Sequence, residues 1–157
     1  MEINIYSRKA VEEHLQTGFP QNTAVISFYD PPTKRRATLP PVDYSGKVSR
    51  DFQIAVHDID LSVLPEYDLT YDTYFTEADD LAEFIYTAKA DGFNIICQCE
   101  YGESRSSACA AAILQHFNKD GISIFADYRY YPNQVVYHKV FDALENFKGI
   151  KQGGFFK

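Results

Sequence analysis

Cys99 and Arg105 stand six positions apart in the segment CEYGESRS, with Gly102 between them and Ser106 directly after the arginine. A cysteine thiolate is a strong nucleophile. A guanidinium presents a planar fork of N–H donors that matches two oxygens of a phosphate. A short loop carrying both can hold an anion over the sulfur. If that anion is a phosphoester, the sulfur is placed to attack phosphorus and form a phosphocysteine. Gly102 fits this purpose, because a backbone that curls its N–H groups around an anion needs a residue with positive φ.

Such a loop has to be positioned by its flanks. FNIICQC, from Phe93, is a strand with little polar relief, which predicts a central place in a sheet. Residues 106–117 read as a helix whose alanines permit close packing. The loop then joins the C-terminal end of a strand to a helix N-terminus, where unpaired N–H groups and the helix dipole favour an anion and, by the same field, the thiolate.

Strands alternate with helices along the rest of the chain. INIY near residue 3, TAVISFY from Thr23 and FQIAV from Phe52 read as strands. SRKAVEEHLQ reads as a helix capped by Ser7. Ala78, Leu81, Ala82, Ile85 and Ala88 fall at helical spacing, and Gly92 closes that helix. Asn133 caps a last helix that buries Tyr137, Val140, Phe141, Leu144 and Phe147. The alternation predicts an α/β fold with a largely parallel sheet flanked by helices. A single domain over residues 1–150 is expected, with 151–157 as a tail. Residues 30–46 form a Pro-rich loop, whose Lys34, Arg35 and Arg36 read as a solvated basic run more readily than as a contact to an anionic substrate.

The bulk composition agrees with this picture. The 157 residues are 45% hydrophobic and 24% charged, with a net charge of −7, which argues against nucleic acid or an anionic membrane as a partner. Three cysteines, Cys97, Cys99 and Cys109, crowd into thirteen residues, unlike a secreted disulfide framework. No apolar leader or membrane-length run is visible, so a reducing cytoplasm is the expected setting. Cys97 and Cys109 read as core thiols, with Cys97 also considered as a redox partner of Cys99. The four histidines show no metal-ligand spacing. Neither a metal nor another cofactor is called for, and the oligomeric state is left open.

The segment CEYGESRS resembles the Cys-x5-Arg-Ser/Thr signature of the cysteine-based protein tyrosine phosphatases. Its Gly and trailing Ser are most similar to the dual-specificity branch and its small bacterial and phage relatives. AVISFYDPP, QIAVHDID, the helix from Thr76 and YYPNQVVYHKV are similar, in order, to segments of those enzymes, so the resemblance covers most of the chain. It implies a phosphomonoester hydrolase that works through phosphocysteine. Cys99 would be the nucleophile, and Arg105 would bind phosphate. The backbone of Glu100, Tyr101, Gly102, Glu103, Ser104 and Arg105 would form the cradle. Ser106 would hydrogen-bond the sulfur and help it leave in the second step.

The family usually carries His before the cysteine. Here Gln98 stands, which can donate a hydrogen bond but brings no charge. Glu100 and Glu103 would oppose the thiolate if they turned inward. The alternative to an enzyme is therefore a phosphate-binding module of the same fold with weak or no turnover. Rhodanese-like sulfur transferases and arsenate reductases use related loops, but the Gly and Arg-Ser pattern and its place at residue 99 disfavour both.

Ester cleavage leaves an alkoxide or phenoxide, so a general acid is expected opposite the cysteine. In the resembled family this is an Asp after the strand that precedes the intervening helix. HDID occupies that place and offers Asp58 and Asp60, with Asp58 the better match and the other read as a turn or capping residue. His57 reads as structural. The expected substrate is a phosphorylated protein, phosphotyrosine first and phosphoserine or phosphothreonine next, or a small phosphoester. Inositol phosphates are disfavoured by the two glutamates of the loop.

Overall fold

The computed structural model of the chain describes residues 1–33 and 37–154. The basic run Lys34, Arg35 and Arg36 and the last three residues of the tail lie outside the described residues.

The elements follow in the order β1 (Ile3–Ser7), α1 (Arg8–Thr17), β2 (Thr23–Tyr29), β3 (Arg50–Ala55), a 3-10 helix (Leu61–Tyr67), α2 (Ala78–Ala90), β4 (Asn94–Cys99), α3 (Arg105–Asn118), the short α4 (Ile122–Phe125) and α5 (Gln134–Gly154). The four strands form one sheet in the order β1-β4-β2-β3, and every pair is parallel. As expected for a strand without polar relief, β4 lies inside the sheet, between β1 and β2. The last helix runs past residue 150 to Gly154.

Strand alternation divides β4 between two cores. Ile95, Cys97 and Cys99 face the larger one, with Leu81 and Ile85 of α2, Ala108 and Ala112 of α3, and Val140 and Leu144 of α5. Ile96 faces the smaller one, with Val11 of α1, Val25, Val42 and Tyr44. The run of small residues in α3 is fully buried, and that close packing sets the helix N-terminus directly after the end of β4.

The local signals in the sequence have physical counterparts. Ser7 Oγ accepts from the N–H of Ala10 at 3.1 Å and caps α1. Gly92 has φ 76° just beyond α2, and the N–H of Phe93 returns to the carbonyl of Ala88. Asn133 Oδ1 accepts from the N–H of Val136 at 2.9 Å at the start of α5. The helix face of α5 is slightly rotated from the expected one: Val136, Val140 and Leu144 are buried, while Tyr137, Phe141 and Phe147 pack on the core from its edge.

Residues 61–75 carry no helical or strand periodicity in the sequence. They hold the 3-10 helix around Pro65 and a turn tied by Thr70 and Thr73. This link carries Tyr74 and Phe75 into the core at 1% and 3% exposure.

Candidate active site

Cys99 ends β4, and its register partner on β1 is Ser7. The loop that follows turns back at Gly102, whose φ is 71°. Space as well as conformation demands glycine here. A Cβ at residue 102 would lie 2.7 Å from the backbone N of Ser7 and 3.0 Å from the carbonyl carbon of Tyr6. The β1–α1 junction is therefore pressed against the crest of the loop, and the N–H of Arg8 donates to the carbonyl of Glu100 at 3.0 Å.

The loop spends its carbonyls on its surroundings. Glu103 O accepts from the N–H of Tyr131 at 2.8 Å and from Ser107 Oγ at 2.6 Å. Ser104 O accepts from the N–H groups of Ala108, at 3.0 Å, and Asn133, at 3.2 Å. Among the described residues, no acceptor takes the N–H of Tyr101, Gly102, Glu103, Ser104 or Arg105. A loop whose Glu100, Glu103 and Ser104 carbonyls are tied outward while its N–H groups are unused, at a helix N-terminus, is suited to an anion.

Cys99 Sγ is buried and lies 3.1 Å from Ser106 Oγ. Cys97 and Cys109 are both buried on the same core face, and their thiols interact. That hydrogen bond, together with burial, pushes the Cys97 thiol well up, so Cys97 stays protonated. Cys99 is thus set apart from the other two cysteines by its place at the strand end.

Arg105 is the first residue of α3 and its side chain is only 5% exposed. Nη1 donates to Val56 O and to Asp30 Oδ1, each at 2.8 Å. Nε is buried and has no partner. Asp30 directly follows β2, and sequence pattern does not single it out. Arg105, Asp30 and Asp58 share a cleft of about 420 Å³ with Arg8, Leu39 and Tyr101. Leu39 and Tyr101 are 61% and 78% exposed, which gives the mouth of the cleft an apolar and aromatic rim. Arg8 is held in the wall by Glu12 and by the carbonyl of Pro40. Glu100 also lines the cleft, while Glu103 is exposed to solvent.

The two aspartates of HDID separate. Asp58 joins the loop, because its Oδ1 accepts from Ser104 Oγ at 2.7 Å and from Asn133 Nδ2 at 2.8 Å. Asp60 precedes the 3-10 helix and lines a different groove, with Ser62, Tyr71 and His138. Asn133 also donates to Ile59 O at 3.0 Å, so one side chain caps α5 and ties the Asp58 segment to it. Sequence pattern shows the cap but not this second role. His57 packs its ring on Tyr67 at 4.7 Å between centroids, and its carbonyl accepts from Tyr74 Oη. Burial lowers the His57 imidazole from its usual range, so it is neutral near pH 7.

Gln98 points to the other side of the sheet from Cys99. Its Oε1 accepts from Ser27 Oγ at 2.5 Å and from Tyr44 Oη at 2.8 Å, and its Nε2 donates to Cys99 O at 3.0 Å. Ser27 and Gln98 are register partners, which is why their side chains meet. Burial pushes the Tyr44 phenol up and keeps it a donor. The residue before the cysteine therefore reaches the loop only through one backbone carbonyl. Among the described residues no cluster of His, Cys, Asp and Glu is arranged to hold a metal ion, and no helix is long and apolar enough to cross a membrane.

No family model matches the chain, and no curated protein does. Solved structures do match. Human DUSP28 superposes with a TM-score of 0.51 at 16% identity over 94% of both chains. A mouse putative dual specificity phosphatase, crystallised with zinc tungstate, gives 0.50 at 18% identity over 90% of this chain and 79% of that one. A leucine rich repeat and phosphatase domain containing protein from Entamoeba histolytica gives 0.50 at 9% identity, covering 94% and 89%. The all-parallel sheet with its flanking helices is thus the dual-specificity phosphatase fold.

Proposed function

We propose that this chain hydrolyses phosphomonoesters through a phosphocysteine on Cys99. The observation that carries the reading is the loop itself: N–H groups without acceptors, an arginine with an unpartnered buried Nε, and a thiol at the strand end, gathered at one helix N-terminus.

In this reading the phosphoryl oxygens lie on the N–H groups from Glu100 to Arg105 and on the Arg105 fork. Cys99 Sγ attacks phosphorus as the bond to the leaving oxygen breaks. Asp58 supplies the proton that the leaving oxygen takes up. Its Oδ1 is already occupied by two donors, so Oδ2 is the oxygen that carries the proton. Water then attacks the phosphocysteine, passing a proton to the Asp58 carboxylate as the P–S bond breaks; phosphate departs, and Ser106 Oγ donates to the departing sulfur. Charge builds on the phosphoryl oxygens in both steps, and fixed N–H donors with Arg105 are in place to meet it.

The favoured substrate is phosphotyrosine in a protein, with phosphoserine and phosphothreonine next. The aromatic and apolar rim of Tyr101 and Leu39 suits an aryl ester, and Glu100 in the wall disfavours a ring bearing several phosphates. A phosphate-binding module without turnover is the second reading. It is favoured by Gln98, which brings no charge to the loop and is committed to Ser27 and Tyr44.

A steady-state assay of the purified chain on an aryl phosphate and on phosphotyrosine and phosphoserine peptides tests both. Turnover that Cys99→Ser removes, with phosphotyrosine preferred, is the expected result. Phosphate binding without turnover would establish the second reading.

A further inference from the structure

We infer that Asp30 is a positioning residue for Arg105, one that decides which edge of the guanidinium meets the anion. This rests on the reading of the loop as a phosphate site.

The hydrogens of the guanidinium decide which edge is free. Nη1 carries two, and both are used, by Asp30 Oδ1 and Val56 O, each at 2.8 Å. Nε carries one, is buried, and has no partner. Nη2 has no acceptor among the described residues either. The guanidinium is planar, so fixing both Nη1 hydrogens fixes the whole fork. The edge left for two phosphate oxygens is then Nε with Nη2.

Val56 O fixes only one of the two Nη1 hydrogens. Asp30 supplies the second point and a charge-assisted bond. The two residues differ in environment: the Arg105 side chain is 5% exposed and that of Asp30 is 51%. Asp30 can therefore be changed at the surface without opening a core cavity. It follows β2 directly, so the strand that pairs with β4 also sets the partner of the arginine after β4.

Asp30 does two opposing things to a bound anion. Its orientation of Arg105 favours binding, and its negative charge in the same cleft opposes it. Substitution separates them. Asp30→Asn keeps an oxygen acceptor for Nη1 and removes the charge. Asp30→Ala removes both.

The test is calorimetric titration of inorganic phosphate into the Cys99→Ser chain carrying each substitution, with kcat and KM on an aryl phosphate for the same substitutions in the Cys99 chain. Asp30→Ala is expected to weaken phosphate binding and to lower kcat/KM by roughly ten- to hundredfold, the scale of one hydrogen bond to a charged group. Asp30→Asn is expected to bind phosphate at least as tightly as the parent. Phosphate binding in Asp30→Ala as tight as in Asp30→Asn would show that Asp30 acts only by its charge and would overturn the positioning role. Failure of the Cys99→Ser chain itself to bind phosphate would overturn the reading on which the inference rests.

Discussion

The loop from Cys99 to Arg105 and the segment from Asp58 to Glu77 would serve one reaction, but they are built differently. The loop is five consecutive residues, 100–104, between a buried strand that ends at Cys99 and a buried helix that starts at Arg105, with its Glu100, Glu103 and Ser104 carbonyls tied to α1, α3 and the segment before α5. The Asp58 segment is long and irregular, and Asp58 is exposed. What holds Asp58 comes from far along the chain: Ser104, 46 residues away, and Asn133, 75 away. A nucleophile and its anion site can be written in a local motif, because a strand end and a helix start are themselves local. A proton donor must stand across the cleft, so its geometry is tertiary.

Arg105 gives the largest way to break the comparison. Arg105→Lys keeps the charge but loses the fork, and Lys cannot satisfy Asp30 and Val56 O while also reaching two phosphate oxygens. A fall in kcat of roughly 10³-fold or more is expected, on the scale of an arginine in phosphoryl transfer. Steady-state kinetics with melting curves would check that the loss lies in chemistry and not in folding.

Asp58 comes next. Asp58→Asn is expected to slow an ester with a poor leaving group by roughly 10²–10⁴-fold and one with a good leaving group far less. Asp60→Asn, whose side chain lines a separate groove, should leave both rates near the parent value. A series of aryl phosphates of graded leaving-group acidity is the measurement. Leaving-group dependence that moved to Asp60 would break the assignment.

Much of this was legible in the sequence, and the gaps follow from the same difference in construction. The strand, the loop, Gly102 and the alanine-rich helix could be read because each depends on neighbours in the chain. Asp30 could not: it looks like the start of a Pro-rich loop, and only parallel pairing of β2 with β4 brings it to Arg105. Asn133 showed its cap, which is a local device, and hid its bonds to Asp58 and Ile59. Tyr74 and Phe75 sit in a stretch without helical or strand periodicity, so nothing in the pattern marked them as core. Gln98 showed itself as a departure from the family motif, while its orientation away from the thiol follows from strand alternation and its partner Tyr44 from tertiary packing.

Asn133 sharpens the comparison. Asn133→Ala removes the α5 cap, worth about 1 kcal/mol, and leaves Asp58 held by Ser104 alone. Stability should fall by about that amount in urea melts. The rate on a poor leaving group should fall about tenfold, on the scale of one lost hydrogen bond, while a good leaving group is spared. An equal loss on both substrates would mean that Asn133 acts through folding alone.

At Gln98 the expected effect falls on stability and hardly on rate. Gln98→Leu strands the hydroxyls of Ser27 and Tyr44 and the carbonyl of Cys99, and should cost stability by about 1–3 kcal/mol. Because the side chain lies across the sheet from the sulfur, kcat should change by less than about threefold, about 0.7 kcal/mol in activation free energy. A large change in kcat would show that the carbonyl of Cys99 transmits more to the loop than its single bond suggests.

The proposed chemistry requires a covalent bond between Cys99 Sγ and phosphorus. Rapid acid quench of the chain during turnover of an aryl phosphate, followed by mass spectrometry of the peptide containing residues 99–105, tests it directly. The account predicts a phosphoryl group on Cys99 at early times, accumulating further when Ser106→Ala slows its release, and none in Cys99→Ser. Turnover that proceeds with no phosphorylated Cys99, or with the phosphoryl group on another residue, would contradict it.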